Sequence, residues 1–144
     1  MRRVITRTAL AGSGVTLGLI GGALMFAPRK FLQMSHVFVE PDPGLMSELT
    51  APSGVLLITS ALLLLGAVKL RFANLALLVG ALVYGSYGAG RLVSMALHGV
   101  PSESLIAATT IELGIAVLLI AIWLSAGLLQ RRDIDGTLFN RLVT

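Results

Sequence analysis

The stretch LIAATTIELGIAVLLIAIWLSAGLL, residues 105–129, indicates the fold class by itself, because a single charged side chain, Glu112, interrupts it. A helix needs about 20 predominantly apolar residues to cross the hydrocarbon core of a bilayer. The stretch satisfies that length, and Gln130 and Arg131 follow it as the polar and basic residues typical of a membrane interface. We therefore predict a membrane-spanning helix here.

Three further apolar windows of similar length precede this stretch. The first ends at Pro28, before two basic residues that mark the membrane interface. The second begins near Pro52, because proline suits a first helical turn. The third is interrupted only by Arg91. The sequence therefore predicts an all-α integral membrane four-helix bundle in a single domain, with spans over residues 9–27, 51–68, 72–97 and 105–129.

The composition agrees with a protein surrounded by lipid. Hydrophobic residues make up 56% of the chain and charged residues only 12%, whereas an ordinary globular domain has about 25% charged residues. These proportions exclude intrinsic disorder, collagen and a DNA-binding domain. The absence of cysteine excludes disulfide scaffolds, thiol redox chemistry, iron–sulfur clusters and c-type haem. The net charge of +4 comes from basic residues at the ends of apolar runs, so we expect no nucleic-acid partner.

The same basic residues predict the orientation, because cytoplasmic segments keep lysine and arginine. The N-terminus, the second connection and the C-terminal tail, residues 130–144, hold most of them, and the first connection holds two. Both termini are therefore expected in the cytoplasm. The first connection, residues 28–50, is then outside, with an amphipathic segment around Phe31 and Phe38 on the membrane surface and a turn at residues 40–44.

Small residues at four-residue steps predict where helices pack closely, because helices in lipid associate through close backbone approach. We expect the small faces of the first and third spans to pack against each other or against a partner subunit. General glycine enrichment of membrane helices is the alternative explanation. The residues are Gly14, Gly18 and Gly22 in the first span and Ala81, Gly85 and Ala89 in the third.

Arg91 and Glu112 are the ionisable residues well inside apolar spans, and such residues are functional hypotheses by default. Each lies about 10–12 Å below the third connection, at about 1.5 Å per residue. We therefore expect them to pair. Other polar residues share the same face of the third helix or lie at the outer end of the second span, and complete a predicted polar cluster. They are Tyr84, Tyr87, Ser94, His98 and Glu48.

Several interpretations of this polar cluster are open. It is a buried ion pair that fixes the register of the last two helices, a site for an anionic or amphipathic ligand, a path for protons or ions, or a catalytic centre. The sequence has no thiol, no histidine pair and no phosphate-binding loop, so we expect no catalytic residues. His36 and His98 lack metal-ligand spacing. We expect no metal and no cofactor apart from a bound lipid, although ligation of a haem or pigment by either histidine stays open.

Short motifs between residues 48 and 119 carry a family resemblance. They are ELTAPSG at residues 48–54, GRLVS at 90–94, HGVPS at 98–102 and the pair Glu112-Leu113. They resemble the small four-span bacterial membrane proteins grouped as domain of unknown function 4345. The resemblance implies the four-span topology, a multi-pass location in the bacterial inner membrane and an emphasis on Arg91 and Glu112, but it implies no reaction.

The favoured function is a non-enzymatic accessory or scaffolding subunit of a larger membrane complex, because almost nothing protrudes from the bilayer. Membrane lipids and other membrane subunits are the expected partners. The alternative is binding or transport of a lipid-like or anionic small molecule at the polar cluster, in the outer half of the bundle. A membrane enzyme acting on a lipid or isoprenoid substrate is a third possibility.

Overall fold

A computed structural model of the chain describes residues 1–40 and 42–143, with the side chains of residue 2 and of residues 127–143 outside the description. Every regular element in this part of the chain is helical. Four segments are long and apolar enough to span a membrane, namely Arg3–Phe26, Pro43–Val68, Leu70–His98 and Glu103–Ala126. The predicted all-α fold with four such helices is therefore confirmed. The elements are α1 (Arg2–Phe26), α2 (Pro28–Met34), α3 (Pro43–Val68), a 3₁₀ turn (Leu70–Phe72), α4 (Ala73–His98) and α5 (Glu103–Val143).

The second spanning helix begins earlier than the sequence predicted, at Pro43 instead of residue 51. Asp42 caps the helix, because its Oδ1 accepts a hydrogen bond of 2.8 Å from the Leu45 backbone N–H. Pro43 then occupies the first helical turn, which suits proline. Pro52 consequently lies inside α3. The first connection is therefore shorter than the expected residues 28–50, and residues 43–44 of the predicted turn are helical.

The other observed helices differ from the predicted spans only in where they begin or end. Helix α1 starts at Arg2, seven residues before the predicted span, and α4 agrees with its prediction to within one residue at each end. Helix α5 continues to Val143, so the predicted tail from residue 130 prolongs the helix up to that point. Residues 41 and 144 lie outside the described part. Of the predicted amphipathic segment around Phe31 and Phe38, only the first part is helical, because the short helix α2 contains Phe31 and ends at Met34.

The helices pack mainly against their neighbours in the chain, α1 on α3, α3 on α4 and α4 on α5. The buried centre takes residues from all four long helices. Large apolar side chains such as Leu19, Ile58 and Val117 are exposed on the outside, which is the arrangement expected when lipid is the solvent. The largest buried side chains are Tyr84, Leu10, Leu56, Leu63, Leu77 and Leu119.

The glycine face of α1 packs against α3, and not against α4 as one of the sequence predictions had it. A Cβ on Gly14 would lie 3.0 Å from the Leu64 side chain, and one on Gly18 would lie 2.7 Å from the Ser60 hydroxyl. These contacts run antiparallel along the two helices. The corresponding face of α4 packs against α5, since a Cβ on Gly85 would lie 3.7 Å from Ala116 Cβ.

The last member of each predicted small-residue set misses the interface. Gly22 has nothing within 4 Å of a Cβ position, and Ala89 is exposed. A helix turns by about 100° per residue, so eight residues carry a side chain about 80° around the axis, whereas seven leave it only about 20° from its start. Gly21 and Gly88 stand at the seven-residue step, and both are buried at the helix contacts.

Candidate functional site

Arg91 and Glu112 form the ion pair that their depth predicted. Arg91 Nε donates to Glu112 Oε2 at 2.9 Å, and their side chains are 32% and 10% exposed. Helices α4 and α5 approach closely beside the pair, because Gly88 leaves room for the side chain of Leu113. This is the one ion pair among the side chains that the structure describes. The charge of the buried carboxylate is thus compensated by a neighbouring helix.

Tyr84 lies about two helical turns before Arg91 in α4 and is almost completely buried, with 1% of its surface exposed. Its hydroxyl donates a hydrogen bond of 2.7 Å to the Ser13 carbonyl oxygen of α1. Because a buried tyrosine hydroxyl needs a partner, this bond fixes α4 against α1. Tyr84 therefore has a structural role in addition to its place near the ion pair.

A cavity of about 40 Å³ lies beside the polar cluster. Its polar wall is formed by α4 and α5, and its apolar wall by α1, α2 and α3. Such a volume holds two or three water molecules or one small polar group. The polar wall consists of Tyr84, Tyr87, Arg91 and Glu112, and the apolar wall of Leu17, Ile20, Leu24, Phe31 and Leu56.

Two side chains on the polar wall carry hydrogen-bond donors that have no partner among the described residues. Arg91 engages Glu112 only through Nε, which leaves its Nη groups without an intramolecular acceptor there, and the same holds for the Tyr87 hydroxyl. Within the described part of the chain, no fully buried side-chain nitrogen or oxygen lacks a hydrogen bond. These donors are therefore accessible to a small molecule.

Arg91 also lines a second pocket, of about 90 Å³, at the end of α4 and the start of α5. Ser94, another predicted cluster residue, lies in this pocket together with Pro101 of the connecting loop. Ser94 therefore shares this pocket with Arg91 but does not line the first cavity. Arg91 thus lines both spaces.

Glu48 and His98 do not line either of these spaces, contrary to the predicted cluster. Both are exposed. His98 is the last residue of α4, about 10 Å further along the axis than Arg91. Glu48 lies eight residues before Leu56, the α3 residue at the cavity, which places it about 12 Å away along the helix. Because α3 begins at Pro43, Glu48 lies inside the helix and not at its outer end, where the sequence placed it.

The apolar wall of the cavity is the part of the site that sequence reasoning missed. Leu17, Ile20 and Leu24 follow steps of three and four residues along α1, which is the spacing of one helix face. That spacing was visible in the sequence, but every face of a membrane helix is apolar, so it did not single these residues out. Phe31 comes from the short helix α2, whose position relative to the bundle the sequence could not give.

The family comparison agrees with the motifs described above. Residues 5–124 match the family model described as Domain of unknown function (DUF4345). The chain belongs to this family. No curated protein and no solved structure matches it. The family description assigns no activity. The described residues contain no group of three or more histidine, aspartate or glutamate side chains that could hold a metal ion.

Proposed function

We propose that this small multi-pass membrane protein binds an amphipathic molecule with a small anionic end, of the carboxylate type, at the cavity beside Arg91 and Glu112. One observation carries the proposal: an apolar wall from α1, α2 and α3 faces two accessible hydrogen-bond donors on α4. Ligand sites are typically apolar with a few placed polar groups. The arrangement matches a ligand that has an apolar chain and a polar end.

The electrostatics of the ion pair support an anionic end. Glu112 uses the Nε edge of the Arg91 guanidinium, and a planar guanidinium has a second edge that can hold another carboxylate with two parallel hydrogen bonds. Hydrogen bonds of this kind are stronger at low dielectric than in water. The Tyr87 hydroxyl adds a donor from the neighbouring turn of α4.

The size of the cavity limits the polar end. A space of about 40 Å³ accepts a small polar end such as a carboxylate more readily than a phospholipid headgroup. The apolar part of the ligand would then lie against Leu17, Ile20 and Leu24 and continue into the surrounding lipid. A single-chain carboxylate therefore fits better than a diacyl phospholipid.

The test compares two probes that differ only in the polar end, dodecanoate and dodecanol. Binding to the purified protein in a mild detergent is measured by titration with native mass spectrometry. We expect dodecanoate to bind at least tenfold more tightly, and we expect the double variant Arg91→Gln/Glu112→Gln to lose this preference. The double variant removes both charges, so it leaves no uncompensated charge in the bundle.

Ser86→Ala serves as the matched control, because Ser86 is exposed on α4 and bonds only to the Val83 carbonyl of its own helix. It should bind dodecanoate like the unmodified chain. Equal affinity for both probes, or a preference that survives in the double variant, would contradict the proposal.

The accessory role expected from the sequence stays a prediction. It depended on small-residue faces available to a partner subunit, and Gly14, Gly18 and Gly85 are instead used for contacts within the chain. The cavity therefore has the stronger support. Purification from native membranes with a stoichiometric membrane partner, together with equal affinity for the two probes, would favour the accessory role.

We also propose that both termini lie in the cytoplasm and that the protein resides in the bacterial inner membrane. The support is the distribution of basic residues, with eight at the termini and second connection and two in the first connection. The chain has no cysteine, so single cysteines can be introduced at Ser102 and Lys69. An impermeant maleimide applied from the periplasmic side should label position 102 only, and the reverse pattern would refute this orientation.

A further inference from the structure

A groove at the junction of α1 and α2 lies apart from the Arg91 site and shares no lining residue with it. Its volume is about 480 Å³, far larger than the cavity beside Arg91. Arg29, Lys30 and Gln33 from α2 line it, together with Phe26 at the end of α1 and Met46 near the start of α3. We infer that this groove binds the phosphate of an anionic membrane phospholipid.

The charges on α2 point to an anion. Arg29 and Lys30 are exposed, and neither has a carboxylate within ion-pair distance among the described side chains. Acidic residues occur in the same connection, but Asp42 is engaged at the start of α3, where its Oδ1 caps the Leu45 N–H. Gln33 follows Arg29 by four residues, so the amide and the guanidinium share one face of α2. The groove therefore presents two cations and an amide donor.

The position of the groove selects a lipid over a soluble anion. The spanning segment of α1 ends at Phe26, which places the groove where the hydrocarbon meets the headgroups. Phe26 is 83% exposed, and it gives the groove an apolar floor that can contact the first carbons of an acyl chain. Basic pockets between membrane helices bind anionic headgroups on the cytoplasmic side of membranes, and we infer the same chemistry for this groove. A free phosphate would satisfy the cations and leave the apolar floor in contact with water.

The inference can be tested by lipid titration of the full chain in detergent, with the number of bound lipids read by native mass spectrometry. The two probes are phosphatidylglycerol, which is anionic, and phosphatidylcholine, which has the same phosphate but no net charge. We expect a preference for phosphatidylglycerol of at least tenfold. Because each cation near an anionic lipid contributes about a factor of five, the variant Arg29→Gln/Lys30→Gln should lose roughly 25-fold in affinity.

The matched control removes two charges at the other end of the bundle, in the variant Lys69→Gln/Arg71→Gln. Lys69 and Arg71 are also exposed and adjacent to a helix start, so this variant has the same net charge as the test variant. It should keep the preference for phosphatidylglycerol. Equal losses in both variants would show that net charge, and not the groove, attracts the lipid, and would overturn the inference.

A competition experiment distinguishes binding of the whole lipid from binding of a free phosphate ion. Inorganic phosphate at millimolar concentration should leave the bound phosphatidylglycerol in place, whereas displacement would show that the site is a free-anion site. Dodecanoate binding at the Arg91 cavity is measured in the same variants and should be unchanged by Arg29→Gln/Lys30→Gln. Failure of the groove is therefore distinguishable from failure of the proposed function.

Discussion

The contact between α1 and α3 and the contact between α4 and α5 are built on the same small-residue principle but differ in polarity. At the first, Gly14 and Gly18 allow close approach, and the Ser60 hydroxyl donates to the Gly14 carbonyl at 2.7 Å. At the second, Gly88 allows the approach, and the Arg91–Glu112 pair lies beside it. The first contact is held by packing and one neutral hydrogen bond, whereas the second contains two charges that need each other.

Because of this difference, we expect the two contacts to respond differently to substitution. A neutral contact loses little when one side chain changes, because the remaining group stays bonded within its own helix. A buried ion pair loses much when one partner is removed, because the other charge stays buried without compensation. The polar wall of the cavity is therefore located at the contact that tolerates single substitutions least.

The largest expected effect is that of Arg91→Leu, which leaves the Glu112 carboxylate without its cation. Breaking a buried pair in this way costs about 3–5 kcal/mol of unfolding free energy. The loss can be measured by equilibrium unfolding in mixed micelles of mild and denaturing detergent. It would confirm that the contact between α4 and α5 depends on charge compensation.

The double variant Arg91→Leu/Glu112→Leu provides the control for this prediction. Replacing both partners of a buried pair by apolar residues is often neutral or stabilising, so the double variant should recover most of the lost stability. If it is as unstable as Arg91→Leu alone, the side chains act through packing, and the comparison between the two contacts fails.

An intermediate effect is expected from adding a methyl group between α4 and α5. A Cβ on Gly88 would lie 2.6 Å from Leu113 Cδ2 and 2.7 Å from its Cγ, whereas one on Gly85 would lie 3.7 Å from Ala116 Cβ. Gly88→Ala should therefore lower the unfolding free energy by about 1–2 kcal/mol, and Gly85→Ala should leave it unchanged or raise it slightly. Equal effects of the two substitutions would contradict the close approach at Gly88.

The sequence predicted the parts of the fold that follow from hydrophobic length and charge. Residues 105–129 were sufficient to identify the last span, and the equal depth of Arg91 and Glu112 was sufficient to predict their pairing. Both predictions depend on distances along single helices, and these distances follow from the rise of about 1.5 Å per residue. The predicted start of α3 was wrong because Pro43 and Pro52 both suit a first helical turn, and the helix begins at Pro43, where Asp42 provides the cap. Pro52 is therefore inside the helix.

The rest of the site depends on which helix faces which, and a single sequence does not determine that in lipid. Gly22 was assigned to a packing face on which Gly21 actually lies, because a four-residue repeat drifts around the axis. The bond from Tyr84 to the Ser13 carbonyl joins residues 71 positions apart. Its acceptor is a backbone carbonyl oxygen, which every residue has, so the identity of residue 13 gives no indication of the bond.

The smallest effect should come from the α1–α3 contact, where Ser60→Ala removes the hydrogen bond to the Gly14 carbonyl. That carbonyl stays within the helical ladder of α1, so it is not left unpaired. Hydrogen bonds between membrane helices contribute about 0.6 kcal/mol on average, and we expect a loss of that order in the same unfolding measurement. Ser86→Ala, which removes only a bond within α4, should have no measurable effect. The small cost is expected because Ser60→Ala leaves no unpaired polar group and no uncompensated charge. A loss as large as that for Arg91→Leu would therefore mean that the neutral contact is as sensitive to substitution as the charged one.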